Sequence, residues 1–122
     1  MPLPTFAGLV EEALDQIPAE FRRRMTNVAI VIEPEPPRGL DLLGLHETGL
    51  PHGLPDRITI YEGPHRRSTR SLTALRQLVA ETVFHEVGHY FGLNEREAQR
   101  LERRIAANRS EFVRRRRRAQ RQ

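Results

Sequence analysis

The pattern of apolar positions predicts an amphipathic helix near the start of the chain. Apolar residues recur at helical spacing over residues 6–17, and Thr5 precedes them as a candidate N-cap. The pattern breaks at Pro18, and residues 19–25 predict a further short helical segment. The chain therefore opens with one apolar helix face that needs a partner to cover it.

Three later apolar runs predict β-strands. Residues 28–32 form a continuous β-branched run, which is typical of a buried strand. Residues 42–47 predict a second strand and residues 58–61 a third, with Pro- and Gly-rich stretches between them. The third strand either completes the sheet or forms an edge that pairs with an extended peptide. We expect a small sheet of about three strands.

A long helix is predicted over residues 71–91. Most of its faces are apolar, and a helix of that kind is usually buried in the middle of a domain. A last helix is predicted from near Asn94 past Leu101 and Ile105. The main apolar stripe of the long helix consists of Leu72, Leu75, Val79, Val83 and Val87.

Composition narrows the class of protein. With 122 residues, 38% of them hydrophobic and 30% charged, the chain suits one globular domain. It has no cysteine, so any metal ligand must come from histidine, aspartate or glutamate. The sequence shows no internal repeat and no second domain.

The positive charge is concentrated at the end of the chain. All 20 basic residues are arginines, and six of them lie at positions 114–118 and 121. The remaining 14 arginines face 16 acidic residues, a net charge of −2. We therefore predict a domain over residues 1–113 and an arginine-rich tail over residues 114–122. Such a block is usually solvated, and nucleic-acid binding through it is the less favoured alternative.

Nothing in the sequence predicts a membrane or secretory location. The first residues lack a basic stretch followed by an apolar run, and no segment approaches about 18 consecutive apolar residues. The expected location is the cytoplasm, with no membrane partner.

The motif that carries chemistry is His85-Glu86-Val87-Gly88-His89, an HExxH pattern. Positions four apart on a helix lie about 40° apart around its axis, so the two imidazoles can meet at one metal ion. Glu86 adjoins the first histidine and is placed to take a proton from a zinc-activated water rather than to bind zinc. The alternative is a solvated histidine pair on a helix that ends at a glycine.

A third protein ligand is expected after the helix. Gly92 can adopt a positive φ and turn the chain back, which gives Glu95 a route to the metal. Glu97 is less favoured, because it is expected to face solvent or to pair with Arg100 or Arg104. If Glu95 is not the ligand, the next candidates are three histidines that are predicted to lie in or beside loops, at positions 46, 52 and 65.

The pattern HExxHxxGxxE resembles the extended zincin signature, with His85, Glu86, His89, Gly92 and Glu95 at its defined positions. The metzincin pattern differs, since it has a third histidine where this chain has Glu95. The chain more closely resembles the small bacterial zincin-like metallopeptidases, also in the block Leu-Pro-Asp-Arg-Ile-Thr-Ile-Tyr over residues 54–61.

This resemblance implies an α+β fold, in which a small sheet of about three strands packs against the active-site helix, with N-terminal and C-terminal helices. It also implies a zinc site and a presumed peptidase activity. The leading hypothesis is therefore a zinc metallopeptidase that acts on a peptide or protein, with Zn²⁺ held by His85, His89 and Glu95 and with Glu86 as general base. Tyr61 and Tyr90 are candidate donors to an oxyanion, although packing is their simpler role. The alternative is a non-catalytic zinc-binding protein on the same scaffold that recruits a partner through its basic tail.

Overall fold

The described residues form five helices and three strands, with two helices before the strands and three after them. The computed structural model describes the backbone of residues 3–49 and 51–120, and the side chains in these ranges up to residue 107. The α+β prediction is confirmed. In chain order the elements are α1 (Phe6–Asp15), α2 (Ala19–Arg22), β1 (Val28–Glu33), β2 (Gly44–Glu47), β3 (Asp56–Tyr61), α3 (Glu62–Arg67), α4 (Leu72–Tyr90) and α5 (Glu95–Gln120).

Side-chain caps explain where two of the helices begin. The Thr5 hydroxyl accepts a hydrogen bond from the Gly8 backbone N–H at 3.0 Å, as the sequence predicted for α1. Ser71 does the same for α4, accepting from the Ala74 N–H at 3.1 Å. Each cap satisfies a backbone donor that has no partner inside its helix.

The three strands form one sheet in the order β1-β3-β2. β1 pairs with β3 in parallel, and β2 pairs with the other side of β3 in the antiparallel direction. The alternative that made β3 an edge strand is therefore wrong: it is the central strand, and residues 58–61 are buried. β1 was predicted to be buried, but it lies on one side of β3 and all six of its residues are only half-buried.

α4 lies at the centre of the molecule. It packs against α1, α3, α5 and the sheet, as a helix with several apolar faces should. Leu72 departs from the predicted stripe: it is 36% exposed, because it lies in the first turn of the helix. The largest fully buried side chains include Leu9, Ile17, Ile58, Ile60, Ile105, Val79, Val83 and Val87.

The last helix joins the core through Leu101 and Ile105, which are 5% and 2% exposed. Its backbone continues to Gln120, so most of the predicted tail extends α5. The arginine side chains of the tail and residues 121–122 lie outside the described residues. The division into a domain and a tail, and nucleic-acid binding through that tail, stay predictions. Within the described residues no helix has both the length and the apolar character needed to cross a membrane.

Candidate active site

The two histidines of the HExxH motif meet on the exposed face of α4. His85 and His89 lie one turn apart, and their Nε2 atoms are 3.0 Å apart. Two nitrogens bound to one tetrahedral zinc at about 2.0–2.1 Å would lie about 3.3 Å apart. The pair therefore fits a zinc ion with little side-chain movement, and both imidazoles are open to solvent.

Glu86 occupies the neighbouring face of α4, against the sheet. Its side chain is 6% exposed. Gly44 of β2 lies beside it, since a Cβ at Gly44 would come within 3.1 Å of Glu86 Cγ and 2.8 Å of Thr82 Cγ2. Only a residue without a side chain allows the strand to approach the helix this closely. Glu86, the general base of the predicted mechanism, therefore packs against the backbone of β2.

Gly44 and Thr82 were not recognised from the sequence as part of the site. A glycine inside a predicted strand is a signal of close backbone approach, but the sequence alone does not say what approaches. Thr82 precedes Glu86 by four residues, so it lies one turn away on the same side of α4.

Gly92 ends α4 as predicted. Its φ is +66°, a value that favours glycine. The Leu93 N–H bonds to the Gly88 carbonyl and the Gly92 N–H to the His89 carbonyl, both at 3.0 Å. These two bonds form a Schellman motif, which ends the helix at Tyr90 with Phe91 as its C-cap and turns the chain towards α5.

The two candidate carboxylates after the turn differ in their contacts. The Glu97 carboxylate accepts from the Asn94 N–H at 3.1 Å, and Asn94 Oδ1 accepts from the Glu97 N–H at 2.9 Å, which is a capping box. Glu97 was predicted to face solvent or to pair with an arginine; it is exposed, as predicted, and its carboxylate also caps α5. Glu95 is the first residue of α5 and is exposed.

Glu95 does not contact the histidine pair in this structure. Among the described residues there is no group of three or more histidine, aspartate or glutamate side chains that could hold a metal ion. An exposed glutamate at the start of a helix can change its rotamer at low cost. The assignment of Glu95 as third ligand therefore stays a prediction.

His65 was predicted to lie in or beside a loop, and that prediction is wrong. It belongs to α3, which the sequence did not predict because Gly63 and Pro64 resemble a turn. Its side chain is fully buried, with Nδ1 2.6 Å from the Tyr61 carbonyl and Nε2 2.9 Å from Thr82 Oγ1. Burial lowers the pKa of His65, although the hydrogen bond to the Tyr61 carbonyl opposes the shift. His65 thus contacts α4 at Thr82, and neither of these two hydrogen bonds joins it to the histidine pair.

The hydrogen bonds of His65 place a proton on Nδ1. A backbone carbonyl only accepts, so Nδ1–H donates to the Tyr61 carbonyl. Nε2 lies 2.9 Å from Thr82 Oγ1, and the Thr82 hydroxyl donates to the Leu78 carbonyl at 3.0 Å. The pKa of His65 in the folded state lies below the unfolded value of about 6.5. The folded protein therefore binds a proton at this residue less readily than the unfolded chain does. The stabilising contribution is complete above pH 6.5 and is lost as the pH falls from there through the folded pKa.

We therefore expect the wild type to lose more stability than His65→Gln between pH 7.5 and pH 5. The difference in slope should not exceed about 1.4 kcal/mol per pH unit, the limit for one proton. Urea unfolding of both proteins at several pH values measures it. Parallel curves for the two proteins would show that His65 titrates equally in both states.

His46 and His52 have different surroundings. His46 lies on β2, and its Nε2 is 2.8 Å from Asp56 Oδ2. The ring meets that of Tyr90 edge to face, with centroids 6.1 Å apart. His52 lies in an exposed loop. Of the two tyrosines, Tyr61 is buried on β3 and the Tyr90 hydroxyl donates to the Arg24 carbonyl at 3.5 Å.

A small sheet packed on a helix that carries HExxH defines a zincin-type domain. A protein-family model described as zincin-like metallopeptidase matches residues 25–105, about two thirds of the chain. The chain therefore belongs to the zincin-like metallopeptidase family.

A solved structure supports the fold. It is titled a conserved hypothetical protein from Thermo thermophilus, and it is 27% identical with a TM-score of 0.55. The match covers 71% of this chain and 91% of that chain. A search of curated proteins found no match.

Proposed function

We propose that this protein is a zinc-dependent peptidase. The observation that carries the proposal is the pair of exposed imidazoles, His85 and His89, with Nε2 atoms 3.0 Å apart beside the buried Glu86. Membership of the zincin-like metallopeptidase family supports the same reaction class.

Three residues of α4 have two roles: the two histidines bind the metal, and Glu86 transfers protons. His85 and His89 would hold the metal, and Glu95 would complete the ligand set from the start of α5. Zinc, when bound, acts as a Lewis acid that polarises the substrate carbonyl and lowers the pKa of a water. Glu86 accepts a proton from the attacking water and afterwards donates it to the leaving amine.

The surroundings of Glu86 suit a base that must keep one position. Its Cγ is enclosed by α4 and by the backbone at Gly44, so the side chain has few rotamers available. Among the described residues, the one buried side-chain polar atom without a partner is Gln16 Oε1. Each oxygen of the Glu86 carboxylate therefore either has a hydrogen-bond partner or reaches solvent.

The test is metal-dependent cleavage. Zinc-loaded protein should hydrolyse at least one sequence in a mixture of internally quenched peptides, and a chelator should stop the hydrolysis. Adding zinc back should restore it, whereas magnesium, which prefers six oxygen ligands, should not. Cleavage that survives the chelator, or a protein that retains no zinc after reconstitution, contradicts the proposal.

A further inference from the structure

The helix α5 carries the net positive charge of the protein. Residues 95–120 hold ten arginines and four glutamates, a net charge of +6, whereas the rest of the chain has ten arginines and 12 acidic residues, a net charge of −2. The backbone of α5 is helical over all 26 residues, so the helix is about 39 Å long. The arginines are therefore arranged along one helix axis.

The described arginines of α5 point away from the domain. The side of the helix that packs on the domain consists of Ala98, Leu101 and Ile105. At about 100° per residue, Arg96, Arg100 and Arg103 lie within about 50° of the opposite direction. All three side chains are exposed, and we call these three residues the outer face of α5.

The acidic residues of α5 are kept off the outer face. Among residues 95–107 they are Glu95, Glu97 and Glu102, which lie about 90° or more from the centre of that face. The Glu97 carboxylate accepts from the Asn94 N–H, so it is engaged at the start of the helix. No ion pair between described side chains involves Arg96, Arg100 or Arg103. Their guanidinium groups are available to an anionic partner.

Three further arginines lie beside the outer face, at the end of α2. Residues 22–24 are all arginines and all exposed. Two contacts join α2 to this part of α5: Glu20 forms an ion pair with Arg104, and Phe21 lines the same groove as Arg100 and Arg104. The basic surface therefore extends across two helices.

The sequence repeats the phase of the outer face further along α5. Arg114 comes 11 residues after Arg103, which is about three helical turns, and Arg118 follows about one turn later. Residues 105–113 between them hold one arginine and one glutamate, so they add no net charge. The helical backbone reaches residue 120, so both positions belong to the same helix.

A row of arginines along a long helix matches the backbone of duplex DNA. Guanidinium groups bind phosphates in a bidentate manner, and duplex DNA carries one negative charge per about 1.7 Å of its axis. The major groove of B-form DNA admits an α-helix, whereas that of A-form RNA is too narrow for side chains to read. Residues 95–107 contain no aromatic side chain on which the bases of a single strand could stack.

An anionic membrane fits this surface less well than DNA. A helix that lies in a membrane interface inserts an apolar face between the lipids. The apolar face of α5 is occupied, because Leu101 and Ile105 are buried in the core of the domain. Only the charged side of the helix remains open to a partner.

We propose that the outer face of α5, together with the arginines at the end of α2, binds the phosphate backbone of double-stranded DNA without sequence specificity. This function goes beyond the proposed peptidase activity and does not rest on it. The outer face points away from the side of α5 that meets α4 at Gly88, and it needs no metal. Removing zinc with a chelator should therefore leave DNA affinity unchanged.

The first experiment is the salt dependence of DNA binding by the full chain. Fluorescence anisotropy of a labelled duplex of about 20 base pairs gives the Kd at salt concentrations from about 50 to about 200 mM. If the arginines at positions 96, 100, 103, 114 and 118 each contact one phosphate, the logarithm of affinity should fall against the logarithm of salt with a slope of about −4.5. Affinity should then fall about 500-fold over this range, and a duplex of unrelated sequence should give the same Kd.

The second experiment compares two double variants that each remove two positive charges. Arg96→Gln with Arg103→Gln should bind the duplex about 10–100-fold more weakly at about 0.1 M salt, with a slope reduced by about 2. The control, Arg38→Gln with Arg70→Gln, changes two exposed arginines outside α2 and α5 and should bind like the wild type. Glutamine and arginine have similar helix propensities, so both variants should fold, and circular dichroism checks this.

Three kinds of result would overturn the inference. The first is a wild type that does not bind the duplex at low salt, or that binds single-stranded DNA, double-stranded RNA or phosphatidylglycerol vesicles more tightly. The second is an equal loss of affinity in both double variants, which would show an effect of net charge alone. The third is a loss seen in Arg114→Gln with Arg118→Gln but not in Arg96→Gln with Arg103→Gln, which would assign binding to the end of the chain alone.

Discussion

Glu86→Gln should lower peptide turnover by about 10²–10⁴-fold and leave zinc bound. The amide cannot take a proton from the attacking water, and general base catalysis is worth about that factor. The substitution nearly preserves shape, so the packing of this side chain against Gly44 should survive. Turnover, zinc content and melting temperature of the variant are the three quantities to measure.

The matched control is Glu81→Gln on the same helix. Glu81 is exposed, and its carboxylate accepts a hydrogen bond from Gln77 at 3.2 Å. The control should keep wild-type turnover and zinc content. Undiminished turnover in Glu86→Gln would exclude it as the base, and a severe loss of zinc would instead make Glu86 a ligand.

His85→Ala and His89→Ala should each weaken zinc binding by well over 100-fold. Removal of a residue that only supports a metal ligand lowers metal affinity by about 10–100-fold. Here the ligand itself is removed, so the loss of zinc affinity should be larger. The two side chains are exposed, so neither variant creates a core cavity and both should remain folded. Competition with a chelator measures the zinc affinity, and circular dichroism confirms that the variants are folded.

The same assay separates the two carboxylates that follow the turn. Glu95→Ala should lose zinc affinity by a comparable factor if it completes the ligand set. Glu97→Ala should keep zinc and lose only the capping box of α5, worth about 1 kcal/mol of stability. A zinc loss confined to Glu97→Ala, or to neither variant, would remove Glu95 from the proposed site.

The sequence by itself determined the parts of the site that depend on local geometry. The spacing of His85 and His89 sets their separation once α4 forms, since one helical turn brings residues four apart together. Gly92 ends that helix through its own freedom of φ, and Ser71 starts it through its own hydroxyl. Each of these signals lies within a few residues of the atoms it controls.

Only the tertiary structure decided what surrounds the motif. Strand order depends on which apolar faces pack together. β3 is the central strand: it pairs with β1 on one side and β2 on the other, and it packs against α4. His65 contacts Thr82, 17 residues further along the chain, and His46 contacts Asp56, 10 residues further along. Each contact joins side chains of two different elements. Such pairings have no periodic signature in the chain, because they follow from the shape of the packed core rather than from neighbouring residues.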